Sequence, residues 1–226
     1  MKYPGAELDN FDKATIWRKY VFLLIKKFIK GNVLEVGAGI GSFTNNYMHI
    51  PSEITLSEID EDNLLKIKNK FANTNFSFTN NTIKDLNETY DTIMYLNVLE
   101  HIADDKNEIV NAYKKLNKGG HLIILVPAHN KLFSKFDEAV GHFKRYEIEF
   151  FKKIFIEGSL TKKLLFLDSM GYFLYYLNKI FFSDETYPSK IKILIWDKIF
   201  TPISIILDKI FFYRYGKNIL YILKKL

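Results

Sequence analysis

The chain has 226 residues, 48% of them hydrophobic and 26% charged, which predicts one packed α/β domain with an appendage. It contains no cysteine, which excludes disulfides, thiolate metal sites and a cysteine nucleophile. No signal-peptide pattern and no run of ~20 apolar residues is present, so we expect a cytoplasmic protein without a membrane-spanning helix.

The net charge of +6 is concentrated in the last third of the chain. Residues 1–150 hold 19 Lys/Arg against 20 Asp/Glu, a net charge of −1. Residues 151–226 hold 13 against 6, a net charge of +7. This asymmetry indicates an anionic partner, such as a membrane surface, a lipid phosphate or nucleic acid. The alternative is that the lysines only solvate helix faces.

Short apolar strands alternate with amphipathic helices along the chain. The first helix is predicted over 12–30 and ends at Gly31. Strands are predicted at 33–36, 53–56, 76–79, 91–96, 121–126, 163–167 and 218–224, and further helices at 42–49, 62–71, 104–116 and 147–155. This alternation predicts a doubly wound, mostly parallel seven-stranded sheet. We expect one domain from 1–169 and 216–226, with a helical aromatic insert at 170–215 that serves as a substrate cap or an interface.

A glycine-rich turn follows the first strand, with glycines at positions 37, 39 and 41. Glycines at alternating positions allow positive φ and leave no Cβ in the way of a ligand at the carboxyl end of the strand. A dinucleotide fingerprint would need its third glycine at the place of Ser42. Glu35, two positions before the turn, favours a cationic ligand over a pyrophosphate. A lone turn of this kind could also be only a tight turn.

Glu58 follows the second strand, 17 positions after Gly41. A carboxylate at that point can accept hydrogen bonds from both ribose hydroxyls and rejects a 2′-phosphate. Asp60 and Glu61 stand nearby and are alternatives, although a solvated acidic loop suits those two better than Glu58.

The fourth strand runs into a loop that carries Asn97, Glu100 and His101. This loop would face the reactive end of a cofactor. His101 could act as a general base, because the pKa of histidine is ordinarily near neutral. The alternative is that His101 caps or packs the following helix.

Together, these segments resemble the class I S-adenosylmethionine-dependent methyltransferases: the stretch 33–44, Glu58 and the stretch 97–102. The sequence Asn-Val-Leu-Glu-His-Ile at 97–102 is similar to that of quinone-biosynthesis methyltransferases. The stretch 126–146, with Gly141-His142 and Arg145-Tyr146, and the N-terminal Trp17 and Tyr20 resemble a subgroup of small methyltransferases assigned to cell-envelope glycan or lipid metabolism.

The resemblance implies S-adenosylmethionine as cofactor and a Rossmann-like methyltransferase fold. The cofactor residues it implies are Glu35, Gly37, Gly39, Gly41, Glu58, Ile59, Asn81, Thr82 and Asn97. Family members often place an acid after the third strand for the adenine amino group, whereas this chain has Asn81, whose carbonyl could accept the same bond. Asp85 is predicted to lie too far along the chain for this.

The loop at 136–146 could cover a pocket at the end of the fifth strand. His142, Arg145 and Tyr146 could bind an anionic or hydroxylated acceptor, or Arg145 could pair with Asp137 to hold the loop. We expect His101, His142 and Tyr146 as catalytic groups, and Arg145, Trp17 and Tyr20 as acceptor-binding groups. The histidines are scattered in sequence, so no metal site is predicted.

The insert is rich in aromatic residues: Tyr172, Phe173, Tyr175, Tyr176, Phe181 and Phe182. Beyond them one polar stripe runs along an otherwise apolar helical region, at Lys190, Asp197, Thr201, Ser204 and Asp208. Pro202 is expected to break this helix, with Thr201 as N-cap. The apolar surface must be buried on the sheet, in a homodimer or in a membrane interface at the inner face of the membrane.

These observations predict methyl transfer to a small-molecule, glycan or lipid-linked acceptor, most readily at oxygen. Two alternatives remain open. One is a nicotinamide-dependent oxidoreductase, which Ser42 and Glu35 disfavour. The other is a non-catalytic module that docks on a membrane through its basic C-terminal third.

Overall fold

The computed structural model describes residues 8–181 and 187–226, with backbone only at 178–181. Seven strands form one sheet in the order β3-β2-β1-β4-β5-β7-β6. The strands are β1 Asn32–Val36, β2 Glu53–Ser57, β3 Ser77–Thr79, β4 Tyr90–Leu96, β5 Leu116–Pro127, β6 Ser159–Leu167 and β7 Asn218–Lys225. Only β7 runs antiparallel to its neighbours. The predicted doubly wound, mostly parallel seven-stranded sheet is confirmed.

Helices cover both faces of the sheet, and each face has its own apolar core. Neighbouring residues of β1 illustrate this, because Val33 belongs to one core and Leu34 to the other. The helices are α1 Leu8–Phe11, α2 Thr15–Ile25, α3 Thr44–Tyr47, α4 Glu61–Lys70, α5 Asp105–Lys114, α6 Lys135–Ala139, α7 Ile148–Lys152, α8 Ser169–Phe181, α9 Lys190–Ile195 and α10 Thr201–Ile210. The order reverses between β1 and β4, and ligands of open α/β sheets bind beside such a point.

Several predicted boundaries differ from the structure. The predicted helix 12–30 is shorter, with α2 followed by a 3-10 turn over Lys26–Phe28. The predicted helix 42–49 is a single turn, α3, because the glycine turn extends further than expected. Strand β5 begins at Leu116, where the sequence had predicted the end of a helix, and a register shift in its pairing with β4 accommodates the extra residues.

The insert contains one continuous helical stretch, in which a π-helical turn over Trp196–Phe200 joins α9 to α10. The prediction that Pro202 breaks the helix was wrong, and so was Thr201 as N-cap, because Thr201 has helical φ and ψ. Pro202 lies in the first turn after the π-helical turn, where helix geometry is already irregular. Of the predicted aromatic cluster, Phe182 and the side chain of Phe181 lie outside the described residues.

The polar stripe of this helix faces the protein interior. Asp197, Thr201, Ser204 and Asp208 are fully buried, whereas Lys190 is exposed. Within the described ranges, no helix is long and apolar enough to cross a membrane.

Candidate active site

The glycine turn after β1 is least crowded at its centre. Gly37, Gly39 and Gly41 all have positive φ, at 65°, 56° and 69°. A Cβ on Gly37 would lie 2.6 Å from Val98, and one on Gly41 would lie 2.6 Å from the Phe71 ring. A Cβ on Gly39 would make only an ordinary contact with Leu8, at 3.7 Å. The first and third glycines therefore allow close packing, whereas at the middle one only the side chain of Leu8 lies near the backbone.

Glu35 is buried beneath this turn and is held by two hydroxyls of the next helix. Its Oε2 accepts hydrogen bonds from Thr44 Oγ1 at 2.7 Å and from Tyr47 Oη. Burial raises the pKa of Glu35 to about 6, and the bonds from Tyr47 and Thr44 limit that rise. Sequence reasoning missed Thr44 and Tyr47, although two hydroxyls three positions apart in a helix following an acid were the available signal.

Glu58 lies directly beside the glycine turn. Its Oε2 accepts a hydrogen bond from the Gly39 backbone N–H at 2.7 Å, and its Oε1 accepts one from the Asp60 N–H at 2.9 Å. Burial raises the pKa of Glu58, although these backbone bonds oppose the rise. Asp60 instead caps α4, accepting from the Asn63 N–H at 2.8 Å. Of the acids after β2, the geometry thus favours Glu58 as the group that faces a ligand, with exposed Ile59 next to it.

The loop after β3 carries Asn81 and Thr82, both exposed. The backbone carbonyl of Asn81 accepts a hydrogen bond from Ser57 Oγ at 2.7 Å, and this bond holds the loop at the end of β2. Asp85, predicted to lie too far along the chain, folds back and accepts from Thr82 Oγ1 at 2.7 Å. Asp85 is thus engaged with Thr82, and the adenine contact stays a prediction for Asn81 and Thr82.

The loop after β4 packs over the turn, where Val98 contacts Gly37. Asn97 adopts a left-handed conformation with φ 59°, and its N–H donates to the Leu125 carbonyl at 2.8 Å. Such a conformation is uncommon for a residue other than glycine and is concentrated at functional sites.

Two histidines that are 41 positions apart in sequence meet just beyond this loop. The rings of His101 and His142 lie edge to face with centroids 4.6 Å apart. His142 Nδ1 is 2.8 Å from Asp137 Oδ1, and His142 Nε2 is 3.9 Å from Glu100 Oε1. The potential ligand atoms of Glu100, His101 and His142 all lie within 4.8 Å of one another. The histidines are scattered in sequence, but the fold brings these two together and places both Glu100 and Asp137 beside His142.

The charge states in this cluster are strongly perturbed. Burial raises the pKa of Glu100 to about 7, partly offset by His142. Burial and the nearby His142 lower the pKa of His101 to about 4. Burial also raises the pKa of Asp137, but hydrogen bonds from His142 and Arg145 outweigh it and bring the value to about 2. Glu100 Oε2 is buried without a hydrogen-bond partner among the described residues, which is typical of a site that awaits a ligand or a proton.

The remaining predicted residues lie around the cluster with their polar groups engaged. Arg145 is buried, with Nε 2.9 Å from Asp137 Oδ1 and Nη2 2.6 Å from the Tyr175 hydroxyl. Of the two alternatives for Arg145, the structure therefore favours pairing with Asp137. Tyr146 is buried too, and its hydroxyl donates to Asp105 Oδ2 at 2.8 Å. This contact gives Tyr146 a structural role instead of the predicted catalytic one.

Trp17 and Tyr20 belong to the core on one face of the sheet. The Tyr20 hydroxyl donates to Asp208 at 2.9 Å, and the Trp17 ring lies 5.7 Å from that of Trp196. Both side chains are buried, so neither is exposed to an acceptor in this structure.

Several aromatic rings that were not predicted as site residues pack in a row beside His142. The Phe136 ring lies 6.3 Å from His142, 6.2 Å from Phe11 and 6.2 Å from Tyr187. Phe11 is also 6.5 Å from Trp196. An aromatic cluster thus packs against the side of His142.

The chain matches the family model described as "Methyltransferase domain" over residues 10–158, which is more than half of its length. Among curated proteins it is 23% identical over 127 residues to the demethylmenaquinone methyltransferase of Tropheryma whipplei. That match covers 55% of this chain and 53% of the relative, so the chain spans about half the length of the curated relatives it matches.

Solved methyltransferases share the fold. The N-methyltransferase NodS of Bradyrhizobium japonicum, in complex with S-adenosyl-L-homocysteine, superposes with a TM-score of 0.58 at 15% identity, covering 92% of this chain and 84% of that one. Coclaurine N-methyltransferase, bound to N-methylheliamine and S-adenosylhomocysteine, gives 0.62 at 14% identity, covering 93% and 72%. The nicotinamide and non-catalytic alternatives are therefore set aside. The chain belongs to the methyltransferase domain family, and its fold is that of solved methyltransferases that bind S-adenosylhomocysteine.

Proposed function

We propose that this enzyme methylates an oxygen atom of an amphiphilic acceptor, a glycan, a lipid-linked sugar or a quinone precursor, and that His142 is the general base. The observation that carries the proposal is the contact of 2.8 Å between His142 Nδ1 and Asp137 Oδ1, in a cluster that also contains a second histidine. We further propose that the enzyme works in the cytoplasm at the inner face of the membrane, where such an acceptor would be found.

The cofactor would be held along the carboxyl ends of β1, β2 and β4. Gly39 has only Leu8 near its backbone, Glu58 is in position to accept hydrogen bonds from ribose hydroxyls, and Asn97 lies on the loop above Gly37. Ile59, Asn81 and Thr82 are exposed near the ends of β2 and β3 and would contact the adenine. When bound, S-adenosylmethionine supplies a methyl group that is already activated by its sulfonium.

The protein then has to orient the acceptor and remove one proton. A base is needed when the acceptor is a hydroxyl, because the neutral oxygen is a weak nucleophile. With Asp137 ionised, His142 Nδ1–H donates to it and Nε2 is left as the proton acceptor. The hydroxyl proton would move to Nε2 as the oxygen attacks the methyl carbon, and Asp137 would stabilise the resulting imidazolium.

His101 has a complementary role in this proposal. Its low pKa keeps it neutral near pH 7, so it places no second positive charge beside protonated His142. Glu100, on the other side of His142, would take up part of the charge that develops there.

A screen with labelled methyl donor against lipid-linked sugars and quinone precursors, with the methylated atom located by mass spectrometry, tests the acceptor. For the base, His142→Asn should lower kcat by roughly 10²–10⁴-fold and leave the affinity for S-adenosylmethionine unchanged. His49→Asn, at an exposed histidine, is the matched control. Methylation at nitrogen, or full activity of the His142 variant, would refute the proposal.

A further inference from the structure

The helical stretch 190–210 has its apolar side on the outside. Its exposed face, here called the outer face, carries a row of isoleucines that continues into aromatic residues, namely Ile191, Ile195, Ile199, Ile203, Ile206, Ile210, Phe211, Phe212 and Tyr215. Ile191 is 68% exposed, Ile206 is 60% exposed and Phe212 is 78% exposed. A contiguous apolar row of this length normally marks an interaction surface.

The helix cannot turn this face inward, because its polar side is used to cap other helices. Asp197 Oδ1 accepts from the Trp17 N–H at 2.8 Å, at the start of α2, which has no side-chain cap of its own. Asp208 accepts from the N–H groups of Asp168 and Ser169, both at 2.9 Å, at the start of α8. Rotation would leave these buried groups without partners, at a large cost in free energy.

The exposed charged side chains of residues 187–226 are all basic. Residues 187–226 contain only two acids, Asp197 and Asp208, and both are fully buried. Lys190, Lys209 and Arg214 are exposed on the same stretch. In a dimer through this face, the basic residues of one copy would repel those of the other. An anionic surface would instead neutralise these basic residues.

We propose that the outer face docks on an anionic lipid bilayer, with the isoleucine row embedded in the interface and the basic residues at the headgroups. Basic helices with a broad apolar face bind membranes in this way without crossing them. Docking of this face is independent of which acceptor is methylated. Tyr187 precedes α9 and its ring lies 6.2 Å from Phe136, so the outer face begins beside the aromatic residues that pack near His142.

The full chain can be tested by co-sedimentation with vesicles of phosphatidylglycerol and phosphatidylcholine, compared with phosphatidylcholine alone. We expect binding to the anionic vesicles only, falling steeply as salt rises from about 0.1 M to about 0.5 M, because screening shortens the reach of the basic rim. The triple variant Ile199→Ser, Ile203→Ser and Ile206→Ser should lower vesicle affinity by about tenfold or more. Leu65→Ser on α4, also an exposed apolar residue, is the control and should bind normally.

Charge-reversal variants separate the electrostatic contribution to vesicle binding from the apolar one. Lys209→Glu with Arg214→Glu should weaken binding to anionic vesicles, whereas Lys66→Glu with Lys68→Glu on α4 should have little effect. Circular dichroism and binding of S-adenosylmethionine establish that every variant is folded. Two outcomes would overturn the proposal: wild-type protein that ignores anionic vesicles, or a lipid-free dimer in sedimentation velocity that the isoleucine variant converts to monomer.

Discussion

Asp137 Oδ1 lies 2.8 Å from His142 Nδ1 and 2.9 Å from Arg145 Nε, so one buried carboxylate serves a proposed catalytic base and a structural cation together. Replacing Asp137 with Asn should therefore lower both activity and stability. We expect a loss of about 3–5 kcal/mol in the free energy of unfolding, because the Arg145 charge would remain buried without its partner.

Arg145→Met distinguishes the two effects. Combined with Asp137→Asn, it should recover much of the lost stability, since no unpaired charge is left, but not the activity. Urea unfolding and turnover are measured on the wild type, the two single variants and the double variant. Recovery of both properties would mean that Asp137 has no role beyond holding Arg145.

Glu100 and His101 are neighbours in sequence whose pKa values are displaced in opposite directions, which predicts opposite effects of pH on stability. The folded-state pKa of Glu100 is raised to about 7, so the folded protein retains a proton that the unfolded chain loses, and stability falls as pH rises from about 4.5 to 7. The folded-state pKa of His101 is lowered to about 4, so stability falls as pH drops from about 6.5 to 4.

In the wild type these two contributions largely cancel between about pH 4.5 and 6.5. Glu100→Gln should reveal the histidine contribution, with stability rising with pH in that window. His101→Asn should reveal the glutamate contribution, with stability falling. Each group can contribute up to about 1.4 kcal/mol per pH unit. Thermal unfolding across this range measures the slopes, and equal slopes in the two variants would contradict the prediction.

Gly39→Val should abolish binding of S-adenosylmethionine without unfolding the protein. The new side chain would occupy the space between the turn and Leu8, and φ 56° adds a conformational cost of about 1–2 kcal/mol. Gly119→Val is the matched control, because Gly119 also has positive φ and room for a Cβ but lies near the amino end of β5, away from the site. Calorimetric titration should show normal affinity in the control alone. If both variants bind normally, the cofactor does not lie over Gly39.

Glu58→Ala should weaken S-adenosylmethionine binding by roughly 1.5–3 kcal/mol, the range for hydrogen bonds to a charged group. Asp60→Ala should instead leave affinity unchanged and lower stability by about 1 kcal/mol, because Asp60 caps α4. Affinity and unfolding measurements on both variants test the pair. The assignment fails if cofactor affinity depends on Asp60 and not on Glu58.

In the helical stretch 190–210 the polar side is buried and the apolar side is exposed, so polar substitutions should lower the free energy of unfolding more than apolar ones. Asp208→Ala should cost on the order of 3 kcal/mol or more, since two backbone N–H groups and the Tyr20 hydroxyl would lose their acceptor. Ile206→Ala should change the free energy of unfolding by only about 0.5 kcal/mol, because the side chain is exposed. Denaturant titration checks this, and a larger effect at Ile206 would show that its face is buried in solution.

The sheet was predictable because its strands are local patterns, short apolar runs bounded by glycine turns. The polar stripe was also visible in sequence, since Asp197, Ser204 and Asp208 repeat at helical spacing. Its direction was not, because amphipathicity alone does not say which side meets water. The donors that hold the polar side inward lie on α2 and at the start of α8, and those on α2 are remote in sequence, as the bond from the Tyr20 hydroxyl to Asp208 shows.

The two histidines were predicted as candidates, but their contact was not, because it joins residues that are remote in sequence. His101 and His142 each stood in a recognisable motif, but only the loops after β4 and β5 bring their rings to 4.6 Å. The pKa values of Glu100 and His101 are shifted mainly by burial, which depends on the packed fold and cannot be predicted from either motif alone.

The capping of α2 and α8 by Asp197 and Asp208 has a consequence for how this enzyme can change. Residues 170–215 could not be exchanged as a block for the equivalent segment of a relative, because the backbone N–H groups of Trp17, Asp168 and Ser169, which lie outside the segment, would lose their acceptors. A functional chimera would have to carry the start of α2 along with it. The stability of α2 and the identity of the segment would therefore change together, whereas substitutions on the exposed outer face leave these caps intact.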